Sequence, residues 1–318
     1  MEKRRRQVPQ NSRRRADVKR LFRSEGADFP GDTALPRTDL ACEAGRPCVS
    51  EEREERDVGG RPVTVARSRE ADGGRFVTVS CGAITERGER DLPALGSLLA
   101  GELTALAEAM LGRHPDASCR ILAVGLGNAD MTPDAIGPGT VRRLTVTRHL
   151  KELNLGLYTA LGCCELAALS PGVMGQTGME SGELVKCAVE LISPHLVVAV
   201  DALAARSCDR LASTIQLSDR GIAPGSGIGN RRMAIDEAAL GCPVLAMGVP
   251  TVVDSATLVW DTLEKAGMNA EALPEALTRI LRKGRSFIVA PRDSDQMVEL
   301  TCRLLARALD EAFGVGEL

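Results

Sequence analysis

Two apolar runs, Arg120-Ile121-Leu122-Ala123-Val124-Gly125-Leu126 and Leu196-Val197-Val198-Ala199-Val200, decide the fold class. Each is too short for a buried helix and too continuously apolar for a half-exposed strand, so both read as strands buried on two faces. Such strands belong to sheets with helices on both sides. The first run leads into Gly127-Asn128-Ala129-Asp130-Met131-Thr132-Pro133-Asp134, and the second ends directly on Asp201. In open α/β sheets, ligands and reactive groups collect beyond the carboxyl ends of strands. Asp134 and Asp201 are therefore candidate functional carboxylates. Each could equally cap a helix starting at Ala135 or Ala202.

Outward from these runs the chain alternates. Pro62–Ala66 and Phe76–Ser80 flank Asp72-Gly73-Gly74 and predict a hairpin. Leu95, Leu98, Leu99, Leu103, Leu106 and Met110 recur at helical spacing within Leu92–Leu111. Helices are expected over Gly137–Leu150, Ser181–Leu191, Ser255–Lys265, Ala270–Arg282 and Ser294–Phe313. Further strands are expected at Ser213–Leu217, Pro243–Val249 and Phe287–Ala290. The alternation predicts an α/β protein, three αβα layers around a largely parallel sheet. Glu43–Arg61, with its run Glu51-Glu52-Arg53-Glu54-Glu55-Arg56, reads as an exposed loop or short surface helix. Residues 1–35 are polar, basic and without periodicity, and read as a flexible arm.

Composition narrows the function. The 318 residues are 44% hydrophobic and 26% charged, which excludes wholesale disorder. Aromatics make up only 2%, too few for the stacking platforms that bind single-stranded nucleic acid. Net charge is −3, yet residues 1–24 carry ten Lys/Arg against two acids. The remaining body is thus strongly acidic and would repel DNA, so no direct nucleic-acid binding is expected. The ten Cys form no C-x-x-C pair and read as reduced thiols in a cytoplasmic compartment. Neither a signal peptide nor a membrane span is expected.

No metal or cofactor is expected either. His195 and Asp201 share one expected strand, about 20 Å apart, too far to hold one ion. H-E-x-x-H is absent, and the adjacent Cys163 and Cys164 suit packing better than chelation. The Gly-rich segment Gly221–Asn230 could cradle an anion but matches neither phosphate-loop nor dinucleotide pattern, and reads as a turned loop near the site. No G-x-S-x-G elbow is present.

Several ordered motifs carry a resemblance. They are Val124-Gly125-Leu126-Gly127-Asn128 with Thr132-Pro133-Asp134-Ala135-Ile136-Gly137-Pro138, then Thr147-Arg148-His149-Leu150 and Met174-Gly175-Gln176-Thr177-Gly178-Met179-Glu180. Val200-Asp201-Ala202-Leu203-Ala204-Ala205-Arg206-Ser207, Ser213–Asp219, Gly225–Asn230 and Gly248–Asp254 continue it. Together they resemble the spore germination protease family from about Arg37 to the C-terminal region. The resemblance implies an endopeptidase that starts degradation of small acid-soluble, DNA-coating spore proteins during germination. It implies a homotetramer in the cytoplasm of the forespore or spore core, and a fold similar to hydrogenase maturation endopeptidases. It places an atypical aspartic-type pair on Asp134 and Asp201. It further implies a self-processing zymogen, with a propeptide at 1–39 and a peptidase domain at 40–318. The family's cleavage motif appears as Thr38-Asp39-Leu40-Ala41-Cys42-Glu43, with the scissile bond between Asp39 and Leu40. The long basic arm and the loop near 51–56 depart from the family pattern.

Two neighbouring carboxylates can share one proton, because like charges so close cannot both ionise readily. One then activates water while the other donates a proton. The alternatives are a metal-dependent maturation-type endopeptidase with Asp134 and Asp201 as ligands, and a DNA-associated protein using the basic arm.

Overall fold

Alternate residues of the two apolar runs enter two separate cores, one on each side of a sheet. The computed structural model describes residues 38–44, 47–225, 232–268, 274, 276–277 and 287–315, all within one unit, Leu35–Leu318. Its strands are β1 (Cys48–Val58), β2 (Arg61–Glu70), β3 (Arg75–Ser80), β4 (Arg120–Gly125), β5 (Glu165–Leu169), β6 (Leu196–Ala205), β7 (Thr214–Ser218), β8 (Val244–Asp254) and β9 (Ile288–Val289). They form one sheet in the order β1-β2-β3-β7-β8-β6-β4-β5, with β9 on β8. The longer helices are α1 (Ile84–Leu111), α2 (Ser181–Ile192), α3 (Ser255–Lys265) and α4 (Ser294–Phe313).

Ile121 and Ala123 of β4, with Leu196, Val198 and Val200 of β6, face the core built by α1 and α4. Leu122, Val124, Val197 and Ala199 face the other side, against Val185 and Val189 of α2. Period-two alternation with no polar face is what a strand covered on both sides requires. The expected αβα layering thus holds around β4, β6 and β8.

The sheet is mixed rather than largely parallel. β5, β4, β6 and β8 run parallel, but β1, β2, β3 and β7 pair antiparallel with their neighbours, and β7 lies antiparallel to β8. For β1, β2 and β3 the antiparallel pairing follows from short connections. The turn between β2 and β3 at Asp72-Gly73-Gly74, where Gly73 has φ +90° and Asp72 accepts from Gly74 N, forces adjacent strands to reverse.

Three other expectations change. The charged run at 51–56 is neither loop nor helix but the middle of β1, an edge strand. Ladder pairing to β2 holds it, and so do ion pairs such as Arg67 to Glu54 at 3.1 Å. Its exposed faces have no apolar signal to read, and the charges blunt the open edge. Helix α1 opens at Ile84, not Leu92, but non-helical backbone at Gly88 (φ +66°, ψ −173°) kinks it, so a short first turn precedes the helix that carries the expected Leu92–Leu111 periodicity. An 18-residue window of α1 is also apolar enough to pass for a membrane span, but its apolar side is the core itself. The single helix expected over Gly137–Leu150 is two, Ile136–Val141 and Arg148–Leu153. Between them the buried Thr147 donates to Cys164 O at 2.6 Å and accepts from Leu166 N at 2.9 Å, tying the chain to the start of β5. The expected helix Ala270–Arg282 and residues 226–230 of the Gly-rich segment lie almost wholly outside the described residues.

Candidate active site

The loop after β4 returns tightly because its glycines let backbone touch backbone. Gly127 has φ +112°, and a Cβ there would lie 2.1 Å from Asp134 O. Gly137 passes equally close to Leu126 and to Val200 O. Within this loop Asp134 accepts a hydrogen bond from Asn128 N at 2.7 Å. It therefore clamps its own loop rather than capping the helix at Ile136, whose start has no side-chain cap. Thr251 holds the loop from the sheet side, donating its hydroxyl to Pro133 O at 2.7 Å. Gln176 holds it from the outside, donating to Asn128 Oδ1 and Asp130 Oδ2.

Asp201 does not cap a helix either, since β6 continues through Ala205. It is an in-strand residue only 5% exposed, paired with Gly248 of β8. Its Oδ1 accepts from Ala202 N at 2.9 Å. Beside it the β6–β8 register shifts between Leu203 and Ala204, an irregularity that leaves Thr251 free to reach the Asp134 loop.

Asp134 and Asp201 meet at one cavity of about 280 Å³, lined also by Asp39, Met131, Val173 and Arg232. Their environments differ. Burial pushes the Asp201 carboxyl well above the usual carboxylate range, and the nearby charges of Asp134 and Asp39 push the same way. Burial also raises Asp134, but the Asn128 amide and the Arg232 guanidinium oppose it. Such a pair suits chemistry in which one carboxyl stays protonated beside an ionised partner. Among the described residues, no group of three or more His, Cys, Asp or Glu side chains could hold a metal ion.

The segment Thr38–Glu43 docks beside these carboxylates. Asp39 N donates to Ala204 O, and Ala204 N donates to Asp39 Oδ2, both at 2.9 Å. Leu40 is fully buried with Leu203, Ala205 and Val253. Ala41 N donates to Gln216 Oε1 at 2.7 Å, and Gln216 Nε2 donates to Asp39 O at 3.5 Å. Sequence reasoning missed Gln216, Thr251 and Arg232. A signal existed for Gln216, a polar residue inside a strand whose alternate positions Ile215 and Leu217 are core. Thr251 and Arg232 carry none, because their partners are distant in sequence.

The family model described as germination protease matches residues 48–266. A germination protease of Caldanaerobacter subterraneus subsp. tengcongensis is 41% identical over 314 residues, 88% of this chain and 94% of that protein. One from Bacillus subtilis is 41% identical over 248 residues, 72% of this chain and 66% of that protein. One from Clostridium perfringens is 44% identical over 199 residues, 63% and 59% of the two chains.

Proposed function

The chain belongs to the germination protease family, and from that premise we propose an atypical aspartic mechanism in which Asp134 and Asp201 share one proton. Asp201 carries it, because its burial disfavours the charged form more than the setting of Asp134 does. Ionised Asp134 takes a proton from water as the water oxygen attacks the peptide carbonyl carbon. Protonated Asp201 hydrogen-bonds the carbonyl oxygen and then yields its proton to the leaving nitrogen as the C–N bond breaks. The pair titrates as a unit, so the pH profile belongs to both. The observation that carries this reading is the meeting of two unequally placed carboxylates in one cavity.

The substrates in this reading are small acid-soluble spore proteins, met in the cytoplasm of the forespore or spore core by a homotetramer. The chain is made as a zymogen whose residues 1–39 are removed by its own cut between Asp39 and Leu40. The docking of Asp39 at the cavity and of Leu40 in its apolar pocket supports this. Incubation of the purified protein with a small acid-soluble spore protein, followed by mass spectrometry of the fragments, tests the activity. Cuts between an acidic and an apolar residue support it, and an intact substrate contradicts it. Light scattering tests the tetramer.

A further inference from the structure

Gln216 is a polar side chain in the middle of a buried strand, and the fold sets it in line with one of the two carboxylates. Gly248 of β8 pairs with Gln216 of β7 on one side and with Asp201 of β6 on the other. Laterally paired residues share a face of the sheet. Their chain neighbours Ile215, Leu217, Met247, Val249 and Val200 all enter the core on the opposite face. Asp201 and Gln216 therefore stand on one face, two strand spacings or about 10 Å apart at Cα. Gly248 raises no side chain between them, and Leu203 fills the space above it, where a Cβ would lie 2.4 Å from Leu203 Cδ1. Leu40 of the docked segment packs with Leu203. Asp39 lines both the cavity of Asp134 and Asp201 and a second one, of about 270 Å³, that holds Gln216 and Gly248.

The bond proposed to be cut joins the carbonyl carbon of Asp39 to the nitrogen of Leu40, and Gln216 grips the backbone on either side of it. Its Oε1 accepts from Ala41 N at 2.7 Å, and its Nε2 donates to Asp39 O at 3.5 Å. A backbone N–H only donates, so the first bond fixes which end of the Gln216 amide faces which partner and leaves its NH2 toward the carbonyl oxygen. We infer that Gln216 is a further catalytic residue, the donor that holds the carbonyl oxygen of the cleaved bond as negative charge develops on it. The inference rests on the proposed cleavage between Asp39 and Leu40. As the water oxygen bonds to the carbonyl carbon, the C=O π pair moves onto the oxygen, where Asp201 and Gln216 both donate to it. When the C–N bond breaks the pair returns to re-form C=O, and Gln216 gives up no proton. A contact of 3.5 Å to the planar carbonyl adds little to ground-state binding. Donors placed for a transition state shorten as the oxygen leaves the plane and gains charge. Both contacts go to backbone atoms, so the same grip acts on a peptide whatever its side chains.

The test follows self-cleavage of the full-length chain as a first-order rate, read by mass spectrometry from the appearance of a terminus at Leu40. Hydrogen exchange across Thr38–Glu43 in the uncut chain reports docking of the segment. Gln216→Glu keeps an acceptor for Ala41 N but puts a second acceptor where the donor stood. Gln216→Met is uncharged and of similar length, and carries the test should the buried carboxylate of the first variant prevent folding. Each folded variant is expected to cut about 10²–10³-fold more slowly, the cost of removing one such donor. Exchange protection of the segment is expected to stay near that of wild type, because the bonds of Asp39 to Ala204 and of Glu43 to Arg206 and Ser207 remain. A folded variant that cuts within a few-fold of the wild-type rate overturns the inference and leaves the protease reading intact. So does a slow variant whose segment has lost its protection, since Gln216 is then a docking contact only. A wild-type chain that never yields a terminus at Leu40 contradicts the proposed cleavage, and the inference with it.

Discussion

At Asp201 a carboxyl is buried inside an apolar strand, and burial disfavours its charged form. The same burial that would ready it as a proton donor in the proposed mechanism lowers stability at neutral pH. The unfolded carboxyl ionises near its ordinary value, whereas the folded one keeps its proton to higher pH. Stability is therefore fullest below the ordinary value and is lost as pH rises from there through the raised one. Asp201→Asn cannot ionise, so it is expected to melt a few degrees above wild type at pH 7, with the difference vanishing near pH 3. Scanning calorimetry at the two pH values checks this. In activity the same variant and Asp134→Asn are each expected to lose about 10²–10⁴-fold in kcat with folding intact; near-wild-type turnover in either would remove that residue from the chemistry. Both positions stood out in the sequence as candidates, because an acid that interrupts or follows an apolar run is locally conspicuous, although β6 continues past Asp201 to Ala205. Arg232 and Thr251 were not, since what matters about them is a partner brought near only by folding.

At the scale of elements, the loop from Gly127 to Gly137 fixes where Asp134 stands. Gly127→Ala would put a Cβ 2.1 Å from Asp134 O at φ +112°. The expected result is destabilisation of about 1–3 kcal/mol, seen as a lowered denaturation midpoint, together with a kcat loss larger than any rise in KM. Wild-type kcat in a folded variant would show that the loop tolerates displacement. Elements with an apolar period were readable in advance: β4, β6, the β2–β3 hairpin and α4, whose Ser294–Phe313 span agrees residue for residue with the expectation. Those stabilised by contacts other than their own apolar face were not. β1 is a row of charges held by its neighbour, and the break at Thr147 exists because its hydroxyl bonds the chain around Cys164–Leu166.

Across the whole molecule, a parallel αβα half is joined edge to edge with an antiparallel half, and the docked segment Thr38–Glu43 bonds to both β6 and β7 at the junction. The buried strands revealed the first half, because nothing but two covering layers explains them. The second half depends on which strands pair, and pairing over long sequence separations leaves little local trace. The arrangement presents the chain's own Asp39 to the cavity of Asp134 and Asp201, and the proposed self-processing rests on that placement. A shared-proton pair works where one carboxyl is protonated and the other is not, which mild acid favours. N-terminal sequencing of the purified full-length chain after incubation in mild acid tests this directly. A new terminus at Leu40, absent from Asp134→Asn treated identically, is the predicted result. Termini scattered after the arginines of the N-terminal arm, and unchanged in Asp134→Asn, would contradict it.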